Sequence, residues 1–469
     1  MLRRWSQPNG YRQVLVVGLP LVVSFGTTSL IHFTDRVFLA NYSVNAIAAA
    51  LPAGIASFLS LCFFMGVVSY VNVFVAQYVG AGAPQRVGAS LWQGIYFSLA
   101  AALFLAALYF IAGPLFELAG HHPEVRRLEV VYFRILTLGA GTVVLATTLS
   151  CFYSGRGLTL PVMLINLAGA GLNIPLDYVL INGVGPFPEM GIAGAGVATV
   201  VSQALVMVLF ALAVFRRRND RIFAVRRAWA WDSTLMRRML RYGLPGGVQF
   251  FLDILVFTFF VFMVGRLGLA ELAATNIVIA INTLSFMPMV GMSVAVSTLV
   301  GQAIGAGRPS GGVEATTSTL HIALVYMGLI ALAFLLFPRE LLSFFETDGA
   351  PAAAQAQMVE LGVELLRFVA VYSMFDAMAL VYMGSLKGAG DIYFVMWSMA
   401  LVCVGLVIAP LLVGVEAMGL GLYFIWGCVT LYVVILGLVF RWRYARGLWQ
   451  KMRVIEAAPR AAVIPEGLS

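Results

Sequence analysis

Residues 18–84 and 243–309 align without a gap at a constant shift of 225. Gly18-Leu19-Pro20 answers Gly243-Leu244-Pro245, and Gly66 answers Gly291. Gln77, Gly80, Ala81, Gly82 and Pro84 answer Gln302, Gly305, Ala306, Gly307 and Pro309. Similarity resumes at a shift of 233, where Gly155-Arg156-Gly157 matches Gly388-Ala389-Gly390 and Met163 matches Met396. The change of shift predicts a longer loop in the second half, around Glu346 to Gln357. A duplication of this length joins two copies of one unit, and in membrane proteins such copies enclose a site between them.

The solvent for these copies follows from their polarity. With 61% hydrophobic and 11% charged residues and a mean hydropathy of +0.95, the chain exposes too much apolar surface to fold in water. It contains about twelve apolar runs near the roughly 20 residues that cross a hydrocarbon core as a helix. The runs are continuous rather than alternating, which excludes a barrel, and a helix satisfies its own backbone in lipid. The expected fold is an all-α integral membrane protein of about 12 transmembrane helices in two six-helix bundles. Six spans per bundle start both copies on the same side, so a pseudo-two-fold axis runs along the membrane normal.

With both termini inside, 22 of the 29 Lys and Arg fall on inner segments, Lys387 among them, as the positive-inside rule requires. The expected organisation is a cytoplasmic N-terminus over 1–13, an N-lobe over 14–215, a basic cytoplasmic linker over 216–239, a C-lobe over 240–442 and a partly disordered cytoplasmic tail over 443–469. The first apolar run ends in Thr34-Asp35-Arg36 rather than a small-residue cleavage site, and reads as a retained span of the inner (plasma) membrane. The net charge of +8 and the Arg216–Arg227 cluster invite a nucleic-acid reading, but those charges sit where topology demands them. Their expected partner is anionic membrane lipid, with no nucleic acid involved. The four cysteines lie in apolar runs without metal or disulfide spacing, no nucleotide-binding loop is present, and the string Gly388-Ala389-Gly390-Asp391 has no second acid to make it a protease site. The chain therefore reads as neither an enzyme nor a carrier of a cofactor, and as a monomer. Pro20 and Pro245 are expected in first helical turns, with Pro161, Pro175 and Pro288 deeper as kink sites.

Chemistry is expected where burial is expensive. Asp35, Asp177, Asp253 and Asp376 each fall in or close to an apolar run, and an Asp at a helix centre costs about 3 kcal/mol. Such groups face a wet cavity or a partner, and a poorly solvated carboxylate is suited to exchanging a proton or a small cation. Asn173 and Asp177 share a helical face, Asp35 lies at comparable depth, and Thr199 completes an amino-lobe set of oxygen donors. In the second half Tyr372 and Asp376 are again four apart, with Asp253 mid-span, while Gln249, Asn276 and Asn282 are polar candidates for the cavity wall. Acids without a matching buried Lys or Arg favour cationic, amphipathic small-molecule substrates.

The combination of Gly-Leu-Pro, Thr34-Asp35-Arg36-Val37, Gln77-(x)2-Gly80-Ala81-Gly82, Leu172-Asn173-Ile174-Pro175-Leu176-Asp177-Tyr178 and the stretch Gly191 to Thr199 resembles the multidrug and toxic compound extrusion (MATE) family over about residues 12 to 442. The resemblance, closest to its NorM-like branch, implies an amino-lobe cation site on Asp35, Asn173, Asp177 and Thr199. It implies a carboxy-lobe site on Asp253, Tyr372 and Asp376. Where this chain has Asp253 the family usually has Glu, a methylene longer, which separates the charge at that position from direct coordination. The implied activity is secondary active efflux of organic cations against inward Na+ or H+, by alternating access. The same carboxylates serve either ion, and the Tyr372, Asp253 and Asp376 set leans toward Na+. The alternative is a flippase for lipid-linked oligosaccharides, whose pyrophosphate cargo asks for a cationic lumen.

Overall fold

The computed structural model describes residues 4–345 and 352–456. Twelve helices are long and apolar enough to cross a membrane. We number them α1 (Tyr11–Tyr42), α2 (Val44–Gly80), α3 (Pro84–Leu118), α4 (Pro123–Ser154), α5 (Leu160–Asn182), α6 (Ile192–Val214), α7 (Ser233–Gly265), α8 (Leu269–Gly305), α9 (Pro309–Leu336), α10 (Ala352–Ala389), α11 (Ile392–Ala417) and α12 (Leu422–Ala445). No strand occurs among the described residues. The helices pack as two bundles, α1–α6 and α7–α12, joined through α1 and α2 of the first against α7 and α8 of the second.

Glycines of the repeat make that junction. A Cβ on Gly80 would stand 2.0 Å from the Gln302 carbonyl oxygen, and one on Gly305 would stand 2.0 Å from that of Gln77. Gly66 closes on the Gly246 carbonyl in the same way, and its repeat partner Gly291 closes on the Val22 backbone. Polar contacts obey the same exchange. Gln77 donates to the Gly388 carbonyl at 2.9 Å, and Gln302 donates to the Gly155 carbonyl at 3.0 Å. Gly82 and Gly307, at φ +67° and +69°, turn the chain into α3 and α9, a left-handed conformation that favours glycine. Pro84 and Pro309 then open those helices, where no backbone donor is needed.

The contacts of Gln77, Gly80, Gln302 and Gly305 lie at one end of the bundles, the face carrying both described chain ends, and those of Gly66 and Gly291 lie nearer mid-helix. There α2 is almost wholly buried from Gly66 to Tyr78, whereas its other half, from Val44, alternates with exposed positions. The lobes are thus locked together at the terminal face.

Two expectations, both on prolines, are corrected. Pro20 and Pro245 lie well inside α1 and α7, because those helices begin earlier, at Tyr11 and Ser233. Pro161 is the one in a first turn; Pro175 and Pro288 do lie inside α5 and α8. The tail is ordered as far as Glu456: Trp449 is fully buried against Tyr444, and Val454 and Ile455 are buried against the lobes. Residues 457–469, and 346–351 of the longer loop, lie outside the described residues.

Candidate ion and substrate site

The amino-lobe set converges from three helices. Asp35 comes from the second half of α1, Asn173 and Asp177 from one face of α5, and Thr199 from α6. Asn173 and Asp177 have no exposed surface, and Asp35 retains 5%. The carboxyls of Asp35 and Asp177 approach each other, with the Asn173 amide beside Asp177. Yet one Asp35 oxygen, both Asp177 oxygens and both amide atoms of Asn173 find no hydrogen-bond partner. Buried polar groups are normally paired, so a cluster of orphaned oxygens has the chemistry to accept a cation or a proton. Thr199 is half-buried and its hydroxyl donates to its own helix at Ala195, leaving lone pairs but no bond to the acids.

Sequence reading missed two members of this region. Ser202, one turn beyond Thr199, is buried at 3% with an unpartnered hydroxyl. His32, one turn before Asp35, lies within electrostatic reach of it. Spacing on a common helical face was the available signal for both.

The carboxy-lobe set has more accessible acids and includes a cation. Asp253 on α7 and Asp376 on α10 are half-buried and within electrostatic reach of each other. Tyr372 is buried at 7%, and its hydroxyl accepts from the Asn282 amide of α8 at 3.3 Å. Gln249, at 2% exposure, donates to Asp253 one turn later on α7 and accepts from the Lys387 ammonium at 2.8 Å. Asn276 is exposed and makes no side-chain hydrogen bond among the described residues, so it is not brought into this cluster. Lys387 corrects the expectation of acids without a basic partner. It lies inside α10 rather than on a loop, and its side chain turns back into the lobe.

The lobes do not mirror one another at the acids. Asp35 corresponds to Phe260, a buried ring edge-on to Trp426 at 5.3 Å, and Asp253 corresponds to the exposed Thr28.

On the terminal face the chain end spans both lobes. The Glu456 carboxylate accepts from Tyr78 and Arg86 on the first lobe and from Arg238 on the second. The Val454 amide donates to Gln77 at 3.0 Å, and Arg453 donates to the Gly305 carbonyl at 3.0 Å. Burial opposes the charge of Glu456, but the Tyr78 and Arg86 hydrogen bonds hold its carboxyl down at about 2.

The MatE family model matches residues 20–179 and 245–413. The "Probable multidrug resistance protein NorM" of Pseudomonas putida is 30% identical over 393 residues, which cover 83% of this chain and 84% of that protein. The protein of the same name from Pseudomonas syringae pv. tomato is 28% identical over 464 residues, covering 97% of this chain and all of its own. A solved structure described as the outward-facing conformation of a multidrug resistance MATE family transporter superposes with a TM-score of 0.85 at 19% identity, covering 94% of this chain and 97% of that one. A eukaryotic MATE transporter gives 0.82 at 16% identity, with 94% and 96% covered. At such identities the likeness is one of fold.

Proposed function

The chain belongs to the MatE family, among the NorM-like multidrug and toxic compound extrusion transporters, and we propose that it exports amphipathic organic cations in exchange for Na+ or H+ by alternating access. Multidrug resistance is what its relatives carry in their names, and efflux by antiport is the reading that fits it; the flippase alternative is not favoured. It is a multi-pass membrane protein, which we place in the plasma membrane with both described ends cytoplasmic, acting as a monomer.

One observation carries the coupling: Asp35, Asn173 and Asp177 form a buried cluster of orphaned oxygens in a molecule whose lobes lock together at the terminal face. In this reading the locked face is cytoplasmic and the conformation opens outward. A cation entering from outside loads Asp35 and Asp177, and the drug leaves as it does so. Asp253, Tyr372 and Asp376 supply the negative wall of the second lobe, with Asn282 orienting Tyr372. The cycle needs only that ion and drug bind the two conformations with different affinities. At 100 mV each net charge moved inward adds about 2.3 kcal/mol. Anionic lipid is the expected membrane partner, received by a cavity of about 510 Å³ with an apolar wall including Trp92, Leu149 and Met207 and a rim of Arg216 and Arg226.

The test is export of an organic cation from proteoliposomes under an imposed Na+ gradient, then under a pH gradient without Na+. Gradient-driven export under one of them is expected. Absence under both would overturn the antiport reading.

A further inference from the structure

Two residues before α10 ends, Lys387 turns its ammonium inward and donates to Gln249 Oε1 at 2.8 Å. The amide nitrogen of Gln249 in turn donates to Asp253 Oδ2. Only one amide orientation suits this chain. Reversed, the NH2 group would meet the ammonium and the carbonyl oxygen would meet the carboxylate, like against like. Cation, amide and anion are therefore in series, a charge-assisted chain whose members polarise one another. Among the described residues, Asp376, Cys62, Cys403 and Tyr432 also lie in electrostatic reach of Asp253, and none of these is a cation.

The other end of the same stretch touches the opposite lobe. The Lys387 carbonyl accepts from the Tyr70 hydroxyl of α2 at 3.2 Å, and the next carbonyl, of Gly388, accepts from Gln77. The fixed cation thus stands between the carboxy-lobe acids and the inter-lobe lock.

We propose that Lys387 is the built-in counter-cation of the carboxy lobe, neutralising Asp253 through Gln249 so that Asp376 alone remains to take a mobile cation. The lobe then carries one uncompensated negative charge rather than two, and takes up one monovalent ion per cycle. This rests on the antiport reading, with Lys387 as a positioning residue that sets the ion count.

Dicyclohexylcarbodiimide, an apolar reagent for protonated carboxyl groups in membrane proteins, reads Asp253 without any need for transport. Labelling of the purified protein at neutral pH is followed by peptide mass spectrometry. Lys387→Gln is expected to raise the Asp253 labelling rate about fivefold or more, since a nearby fixed charge is lost. Gln249→Leu, which breaks the relay while keeping the lysine, is expected to raise it too. Lys387→Arg keeps the charge and is expected to stay within about twofold of the wild type. Unchanged labelling at Asp35 in the same digests reports an intact fold. In proteoliposomes, Lys387→Gln is also expected to raise apparent affinity for the driving cation, and to do so only while Asp253 is present, as a double-mutant cycle shows. Equal Asp253 labelling in wild type and both neutral variants overturns the counter-cation. A wild type without gradient-driven export overturns the antiport reading instead, and the labelling comparison still decides whether Lys387 compensates Asp253.

Discussion

Asp177 shows how little a helix needs to do to create reactivity. A turn of α5 places it with Asn173, a crossing of α1 brings Asp35 opposite, and burial removes the water that would otherwise satisfy all three. A carboxylate pair of this kind is costly unless a proton or cation joins it. Asp35→Asn and Asp177→Asn should each therefore lower ion-driven drug export by about tenfold or more, while detergent-purified protein keeps its melting temperature or gains in it. Equal transport in both variants would remove the amino-lobe site. Thr199→Val is expected to change export far less, because its half-buried hydroxyl donates to its own helix and makes no bond to either acid. The four acids and the Asn173–Asp177 spacing were readable from cost and periodicity. The Lys387–Gln249 link was not, since the two stand on helices 138 positions apart in the chain.

The elements carry the inter-lobe lock. Gly80 and Gly305 meet the opposite lobe's carbonyl so closely that no side chain fits without separating α2 from α8. Gly80→Leu or Gly305→Leu should open the terminal face, seen as a lengthened inter-lobe distance between spin labels placed across it. Gly26→Ala, with open space around it, should leave the distance unchanged. The chain end forms a second fastening through Glu456. A carboxyl held at about 2 against an ordinary 4.5 stabilises the docked end at pH above 4.5, and that contribution disappears as pH falls toward about 2. Hydrogen exchange at the Val454 amide, corrected for intrinsic pH dependence, should accelerate over that window, and Glu456→Gln should abolish the acid response. The order of this segment was not legible in a short, mixed sequence. Its stability comes from Tyr78, Arg86 and Arg238, which meet only when both lobes are assembled.

At the scale of the whole molecule, two lobes fastened at one face by a lock that can be released is the geometry alternating access requires. Linkage then makes the coupling reciprocal. The factor by which saturating cation weakens drug binding should equal the factor by which saturating drug weakens cation binding, with both read as equilibrium affinities on the same preparation. Unequal factors would mean that the two ligands do not act through one pair of conformations. By itself the sequence determined the membrane as solvent, the twelve helices, the duplication and the identity of the acids, because hydropathy, helical period and burial cost are local properties. The repeat also marked Gly80, Gly305, Gln77 and Gln302 as important without saying why. Tertiary structure decided the rest: that those residues exchange contacts across a pseudo-two-fold junction, that the described chain end spans it, and that Lys387 serves Asp253. These depend on which helix faces which, and a hydrogen bond between distant helices leaves no periodic trace in either one.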